Sequence, residues 1–306
     1  MNAPHPPLVT IIIPVFNDSE RLKLCLNALE QQTYPKDRYT VLVVDNASDE
    51  DIEAVVSQFP QAIATHESRP GSYAARNKGI AIARGDIIGF TDADCIPAPD
   101  WIEHGVAHLL KTPHCGLVAG RITFFFRDPD RPTPVELYDN LKLGLDQQKF
   151  LEDSHYGATA NLFTFKHVID QVGGFNDTLK SSGDRDWGQR IFSAGYQQIY
   201  AEDVCITHPA RYSWGDLRKK VIRLIGGHQD LKRKRGQSTL QMAIEVFSSS
   251  IKDILPPFRM YYYIWSYDSL KTNKQRLQFT AAMMYVRYVR AWERIRLFMG
   301  GASTRG

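Results

Sequence analysis

The 306 residues contain no apolar run long enough to cross a bilayer. A spanning helix needs roughly 20 mostly apolar residues, and the best stretch, Leu277 to Val286, is cut short by Arg276 and Arg287. The opening MNAPHPPLVT has neither the basic residues nor the apolar core of a signal peptide, so export by a standard signal is not expected. The four cysteines, Cys25, Cys95, Cys115 and Cys205, stand far apart with no C-x-x-C pair. That excludes a zinc-ribbon or dithiol site and leaves buried thiols in a reducing cytosol. Neither G-x-x-x-x-G-K-[ST] nor G-x-G-x-x-G follows the first apolar run, which weakens ATPase and dinucleotide dehydrogenase readings. With Gly 21, Pro 16 and 23% charged residues, collagen-like and largely disordered classes are excluded too.

Each part of the chain is short of one sign of charge. Residues 209–306 hold 19 Lys and Arg against 6 Asp and Glu, while the first 208 residues hold 18 against 28. The net charge of +3 hides this split. It points to a first part built on carboxylates and a tail that meets an anionic surface.

What is present is enough for a sizeable core: 43% of residues are hydrophobic, and the length suits about two domains. LVTIII (8–13) is a short β-branched run, followed by PVFND and a helical pattern with Leu22, Cys25, Leu26 and Leu29 on one face. Asn17 and Glu20 have the spacing of a capping box. The unit recurs: TVLVV (40–44) ends in Asp45 before a helix near 49–58, QAIAT precedes a helix near 73–83, and DIIGF (86–90) runs into TDAD. Buried runs alternating with amphipathic helices predict an α/β domain with helices on both faces of the sheet. Farther on, GRITFFF (120–126) and 158–165 read as strands, 137–150 and 187–194 as helices, and 198–201 as a short strand leading to His208.

Ligands of such sheets bind beyond the carboxyl ends of the strands. Those ends carry Asn17 and Asp18, Asp45, and Asp92 with Asp94. The D-x-D pair suits a hard cation, Mg²⁺ or Mn²⁺, of the kind that bridges to substrate phosphates. RPGSYAARNKGI (69–80) brings Arg69, Arg76 and Lys78 to a helix start, where free N–H groups favour anions.

Together with GGFNDTL, SGDRDWGQRIFSAGY and His208, the strings PVFND, VVDNASDE, PGSYAARNKGI and TDADCIPAPDW resemble inverting glycosyltransferases of family 2 over roughly residues 8–210. The resemblance implies a GT-A-like mixed sheet flanked by helices. Residues 1–100 would be its nucleotide-sugar half, 101–210 its acceptor and catalytic half, and 211–306 a basic amphipathic helical region. It implies that Pro14, Asn17, Asp18 and Asp45 hold the nucleoside, that Arg76 and Asn77 face the phosphates, and that Asp92 contacts ribose. Asp94 is then a metal ligand, joined by His208. Asp184 matches the general base, with Gly183 where the family has Glu, so that Asp186 shares the catalytic expectation; an N-cap role for Asp184 is the competing reading. Trp187 suits either stacking on an acceptor sugar or the core.

The reaction implied is metal-dependent, inverting transfer of one sugar from a nucleoside-diphosphate sugar to a hydroxyl of a glycan or lipid-linked acceptor. Processive members add spanning helices and Q-x-x-R-W; RYSW (211–214) is not that motif, so a nonprocessive enzyme is expected. A sugar nucleotidyltransferase and a noncatalytic sugar-nucleotide-binding protein are the alternatives. A nucleic-acid partner would leave the carboxylate loops unexplained.

In the tail, Leu217, Val221, Leu224, Ile225 and Leu231 recur at helical spacing, flanked by Arg218, Lys219, Lys220 and Arg223, with Lys232 to Arg235 following. Phe258, Tyr261, Tyr262, Tyr263, Trp265 and Tyr267 crowd together, and Met284, Val286, Tyr288, Val289, Trp292 and Ile295 alternate with arginines. These read as interfacial helices on an anionic membrane, placing the protein in the cytoplasm on the inner face of the cell membrane. Packing as core-facing helices is the competing reading.

Overall fold

A computed structural model describes residues 5–234, 238–255, 264 and 267–304. Of the residues singled out above, Arg235, Phe258, Tyr261, Tyr262, Tyr263 and Trp265 lie outside these. The chain forms two compact units: Met1–Thr123, Leu145–Thr178 and Gly183–His208 make the first, and Phe124–Gly144, Leu179–Ser182 and Pro209–Gly306 the second.

The first unit is an α/β layer structure on an eight-stranded sheet of order β3-β2-β1-β4-β7-β6-β8-β5. β1 (Val9–Val15), β2 (Tyr39–Asp45), β3 (Ala62–His66) and β4 (Ile87–Thr91) are parallel, because α1 (Ser19–Glu30), α2 (Ile52–Val56) and α3 (Ser72–Ile82) return the chain between them. Ile12 lies opposite both Leu42 and Phe90 in this register. Their carboxyl ends therefore share one edge. β5 is Ile96–Pro97, α4 is Trp101–Lys111 and β6 is Cys115–Phe125.

The second half of the sheet turns mixed. β7 (Asn161–Phe165) runs antiparallel to β4 with Asn161 opposite Thr91, so the residues just before β7 sit at the edge where β4 ends. β8 (Gln197–Pro209) pairs antiparallel with β5, Thr207 opposite Ile96, which brings His208 beside the residues that follow β4. Two cores flank the sheet: one holds Ile11, Ile13, Leu22, Trp101 and Phe163, the other Ile12, Phe90, Leu162, Phe175 and Trp187.

Several sequence expectations are corrected. Asn17 does not cap α1; the cap position is Asp18, without a side-chain cap bond, and Asn17 has φ 50° and bonds to Asp49 instead. The helix expected over 137–150 is two, α5 (Pro134–Lys142) and α6 (Gln147–Ser154), each opened by its own capping side chain, Thr133 and Asp146. α7 (Lys166–Val172) follows β7 and α8 (Gly183–Ser193) precedes β8, which is far longer than the expected four residues. Cys25, Cys95 and Cys115 are buried free thiols, as expected, and Cys205 is half-buried.

The second unit packs α5, α9 (Trp214–Lys234) and α11 (Asn273–Phe298) around Val135, Tyr138, Leu217, Val221, Phe279, Met283 and Val286, with α10 (Thr239–Ile254) against α11. Lys220, read above as part of an outward cationic face, is instead buried: its Nζ donates to the Leu143 carbonyl at 3.1 Å and lies 3.5 Å from Asp139. Among the described residues no helix is long and apolar enough to cross a membrane.

Candidate active site

Strand geometry delivers most of the expected polar residues to one edge of the first unit. After β1, Asn17 ties the β1 and β2 loops together: its Nδ2 donates to Asp49 (3.3 Å), its Oδ1 accepts from the Asp49 N–H (2.7 Å) and its own N–H donates to Ser48 Oγ (2.9 Å). Asn17 and Ala47 both have left-handed backbone, φ 50° and 62°. For alanine that conformation costs about 1–2 kcal/mol, and such strain tends to collect at functional loops. Asp45 accepts from the Ser48 N–H at 3.0 Å and lies 3.3 Å from His66 Nδ1. Pro14 is an interior residue of β1, opposite Val44.

From there a file of charges runs along the edge. Asp18 pairs with Arg21 at 2.7 Å, and Arg21 Nη1 lies 3.8 Å from Asp94. Asp94 is also 3.6 Å from His208 Nε2. Asp92 holds Arg76, whose side chain is only 4% exposed. Arg76 Nε is buried and has no hydrogen-bond partner among the described residues, an unspent donor beside the Asp92 carboxylate. Asn77, expected at the phosphates, is used otherwise: its amide both accepts from and donates to the Phe175 backbone at 2.8 Å, bracing the turn after α7.

Asp94, Cys95 and His208 form the group of potential metal ligands among the described residues. Burial, aided by Asp92 and Asp94, pushes the Cys95 thiol well up, and its soft sulfur is ill matched to Mg²⁺ or Mn²⁺. The donor set is then one carboxylate and one imidazole, too far apart to hydrogen-bond yet close enough to share one ion. A carboxylate suits Mg²⁺ or Mn²⁺, and a buried imidazole tilts the choice towards the transition metal. These residues fit a divalent ion that takes its remaining ligands from a substrate.

Asp184 and Asp186 part company on α8. Asp184 Oδ1 accepts from Thr159 Oγ1 at 3.1 Å, a partner delivered by the antiparallel entry of β7. Burial raises its pKa, Arg76 pulls it down, Asp92 raises it again, and the Thr159 bond lowers it; the net shift is upward. Asp186, two residues on and so on another face of the helix, is 3.3 Å from Arg190 Nε. Arg190 in turn caps the carbonyls of Val172, Gly173 and Gly174, which makes Asp186 part of a brace. Trp187 is fully buried, its Nε1 donating to Gly173 at 3.0 Å, so the core reading holds.

Two residues not singled out from the sequence complete the surroundings of Asp184. Tyr73 accepts the Gly183 N–H at 2.9 Å, and Tyr156 has its pKa pushed up to about 12 by burial and by Asp184. Neither carries a sequence signal, since an isolated tyrosine reads as a packing residue.

Comparison with known proteins bears on this arrangement directly. Residues 10–173 match the family described as glycosyl transferase family 2. The chain belongs to glycosyl transferase family 2. It is 40% identical over 223 residues to glycosyltransferase AglE of Haloferax volcanii, covering 71% of this chain and 72% of that protein. It is 29% identical over 220 residues to the pre-mycofactocin glycosyltransferase of Mycobacterium tuberculosis, of which it spans only 45%. A mannosyltransferase from Pyrobaculum calidifontis, solved with GDP-Man and Mn²⁺, superposes with TM-score 0.61 at 19% identity, covering 94% of this chain and 88% of that one. The fold is GT-A and the chain a glycosyltransferase. The family match includes Asp18, Asp45, Arg76, Asp92 and Asp94 and ends before Asp184 and His208.

Proposed function

We propose that this glycosyltransferase moves one sugar, with inversion, from a nucleoside-diphosphate sugar to a hydroxyl of a glycan or lipid-linked acceptor. Asp184 serves as general base in this reading. The observation that carries it is a half-buried carboxylate, held by Thr159 with a raised pKa, at the end of a charge file that begins at Asp18 and includes an arginine with a spare buried donor. Asp184 takes the proton of the acceptor hydroxyl. The freed oxygen bonds to the anomeric carbon while the bond to the diphosphate oxygen breaks on the opposite face, and the electron pair leaves with the nucleoside diphosphate.

General-base assistance contributes about 10²- to 10⁴-fold. Arg76, fixed by Asp92, offers Nε to the diphosphate. Pro14, Asn17, Asp18 and Asp45 border the nucleoside, and Asp92 the ribose. Asp94 and His208 would hold Mn²⁺ or Mg²⁺, which when bound offsets charge on the departing diphosphate.

GDP-mannose with Mn²⁺ is the first donor to offer, because the structural neighbour was solved with both. A panel of sugar nucleotides scored by thermal shift and by product tests the reading. Release of a nucleoside diphosphate is expected; release of pyrophosphate, or tight binding without turnover on any acceptor, would overturn it.

The same reading places the protein in the cytoplasm, peripheral on the inner face of the cell membrane through residues 211–306. Besides their excess of cations, α10 turns Ile244, Phe247, Ile251 and Ile254 outward, with Phe247 71% exposed, and Leu255 just after it is exposed too. α11 likewise exposes Leu277, Tyr288 and Trp292 at helical spacing, Trp292 being 61% exposed, and Met299 follows at its end. α11 holds six Lys and Arg against one Glu, whereas α10 holds one Lys against Glu245 and Asp253, so it is the stripe of α11 that fits an anionic lipid surface. Flotation on vesicles containing phosphatidylserine is expected for the wild type and lost on Phe247→Ser with Trp292→Ser; equal flotation of both counts against the attachment.

A further inference from the structure

Asp184 sits in the first turn of α8, where backbone N–H groups lack intrahelical partners and a helix ordinarily relies on a cap. The residue before the helix, Ser182, has φ 64°, not the extended backbone from which an N-cap side chain reaches over the turn. The missing acceptor comes from far away in sequence. Tyr73, on α3, places its phenol oxygen 2.9 Å from the Gly183 nitrogen, and the Asp184 amide acts on the same oxygen. The Tyr73 ring stacks on Phe175 with centroids 5.8 Å apart and lies under the Arg76 guanidinium at 6.0 Å.

Gly183 answers to the same ring. A Cβ added there would fall 2.6 Å from Tyr73 Cε2 and Cζ, closer than real Cβ contacts come. Residue 183 is thus glycine because the phenol occupies the room of its side chain.

We propose that Tyr73 is the positioning residue for Asp184, capping α8 from outside the helix and, through Gly183, fixing where its first turn begins. The inference rests on the reading of Asp184 as general base. A displaced base loses rate steeply, since misplacement by about 1 Å costs on the order of 10²-fold. The groups that face Asp184 are Tyr73 and Arg76 from α3, Asp92 from the end of β4, and Tyr156 and Thr159 from the segment before β7, while Arg185 on its own helix acts on Tyr156.

Tyr73→Phe keeps the ring and removes only the cap. We expect amide exchange of residues 183–186 to quicken about tenfold, the usual scale for losing a cap, and kcat to fall about tenfold with KM for the donor unchanged. The acid limb of the kcat profile should move to lower pH as Asp184 gains water. Unchanged exchange overturns the capping, and quicker exchange with unaltered kcat and acid limb overturns the positioning.

Gly183→Ala supplies a second test. Alanine is the better helix former, yet this substitution should cost at least as much kcat as Tyr73→Phe, and should cost nothing further in a Tyr73→Ala background. Equal loss in both backgrounds would refute the coupling. If the wild type transfers no sugar from any donor in the panel, the transferase reading fails by itself, while the exchange measurement still decides whether Tyr73 caps α8.

Discussion

Asp139 in the second unit and Asp184 in the first are both carboxylates drawn out of water, and their surroundings drive them in opposite directions. Burial alone would raise Asp139, but Lys220 and Arg211 together overcome it, and its pKa falls below the usual 3.8. The Arg211 N–H and guanidinium bond to it at 2.9 and 3.1 Å, and none of its side chain is exposed. At Asp184 burial prevails over a single arginine that is already engaged by Asp92. A fully compensated carboxylate is an anchor; an under-compensated one is left ready to take a proton.

Removing each carboxylate separates the two roles. Asp184→Asn should lower transfer by about 10²- to 10⁴-fold while donor binding, followed by calorimetry, stays near wild type; activity above about a tenth of normal would put the base elsewhere. The wild-type rate should fall as acid protonates Asp184, and because its pKa is raised, that limb lies at higher pH than a solvent carboxylate would give. Asp186→Asn should leave this limb in place.

Asp139→Asn strands the buried Lys220 and the half-buried Arg211 and should cost about 3–5 kcal/mol of stability, read by urea denaturation, with the chemistry of the first unit untouched. Its contribution is present above the ordinary carboxylate pKa and is lost as pH falls through the lower folded value. A loss below about 1 kcal/mol, the scale of an exposed pair, would show that the network is solvated.

The smallest effect belongs to Lys220. Burial, with help from Arg211 and against Asp139, lowers its pKa to about 7. Between there and the unperturbed 10.5 the unfolded chain holds a proton that the folded chain has released, so stability rises with pH across that window. Lys220→Met should change stability at pH 7 by less than about 1 kcal/mol, since Arg211 still satisfies Asp139, and should abolish the rise. A rise that persists in the variant would assign it to another group.

The apolar runs made β1, β2 and β4 legible, and with them the edge where Asp18, Asp45, Asp92 and Asp94 gather. The sequence reads as one helix over 137–150 because its apolar spacing continues across Leu143–Asp146, while the break depends on two separate caps. A lysine among lysines looks solvated from sequence; the Leu143 carbonyl and Asp139, nearly eighty residues earlier, explain the burial of Lys220.

By itself the sequence determined the alternation of strand and helix, the carboxylates at the strand ends and the contrast between an acidic first part and a basic tail. All of these follow from local periodicity and composition. Tertiary structure decided that β7 and β8 enter antiparallel, which is what sets Thr159 against Asp184 and His208 against Asp94. It decided too that a tyrosine from α3 completes the helix that carries Asp184. Such pairings join residues tens to more than a hundred positions apart, and their energy comes from burial and register, which no local pattern encodes.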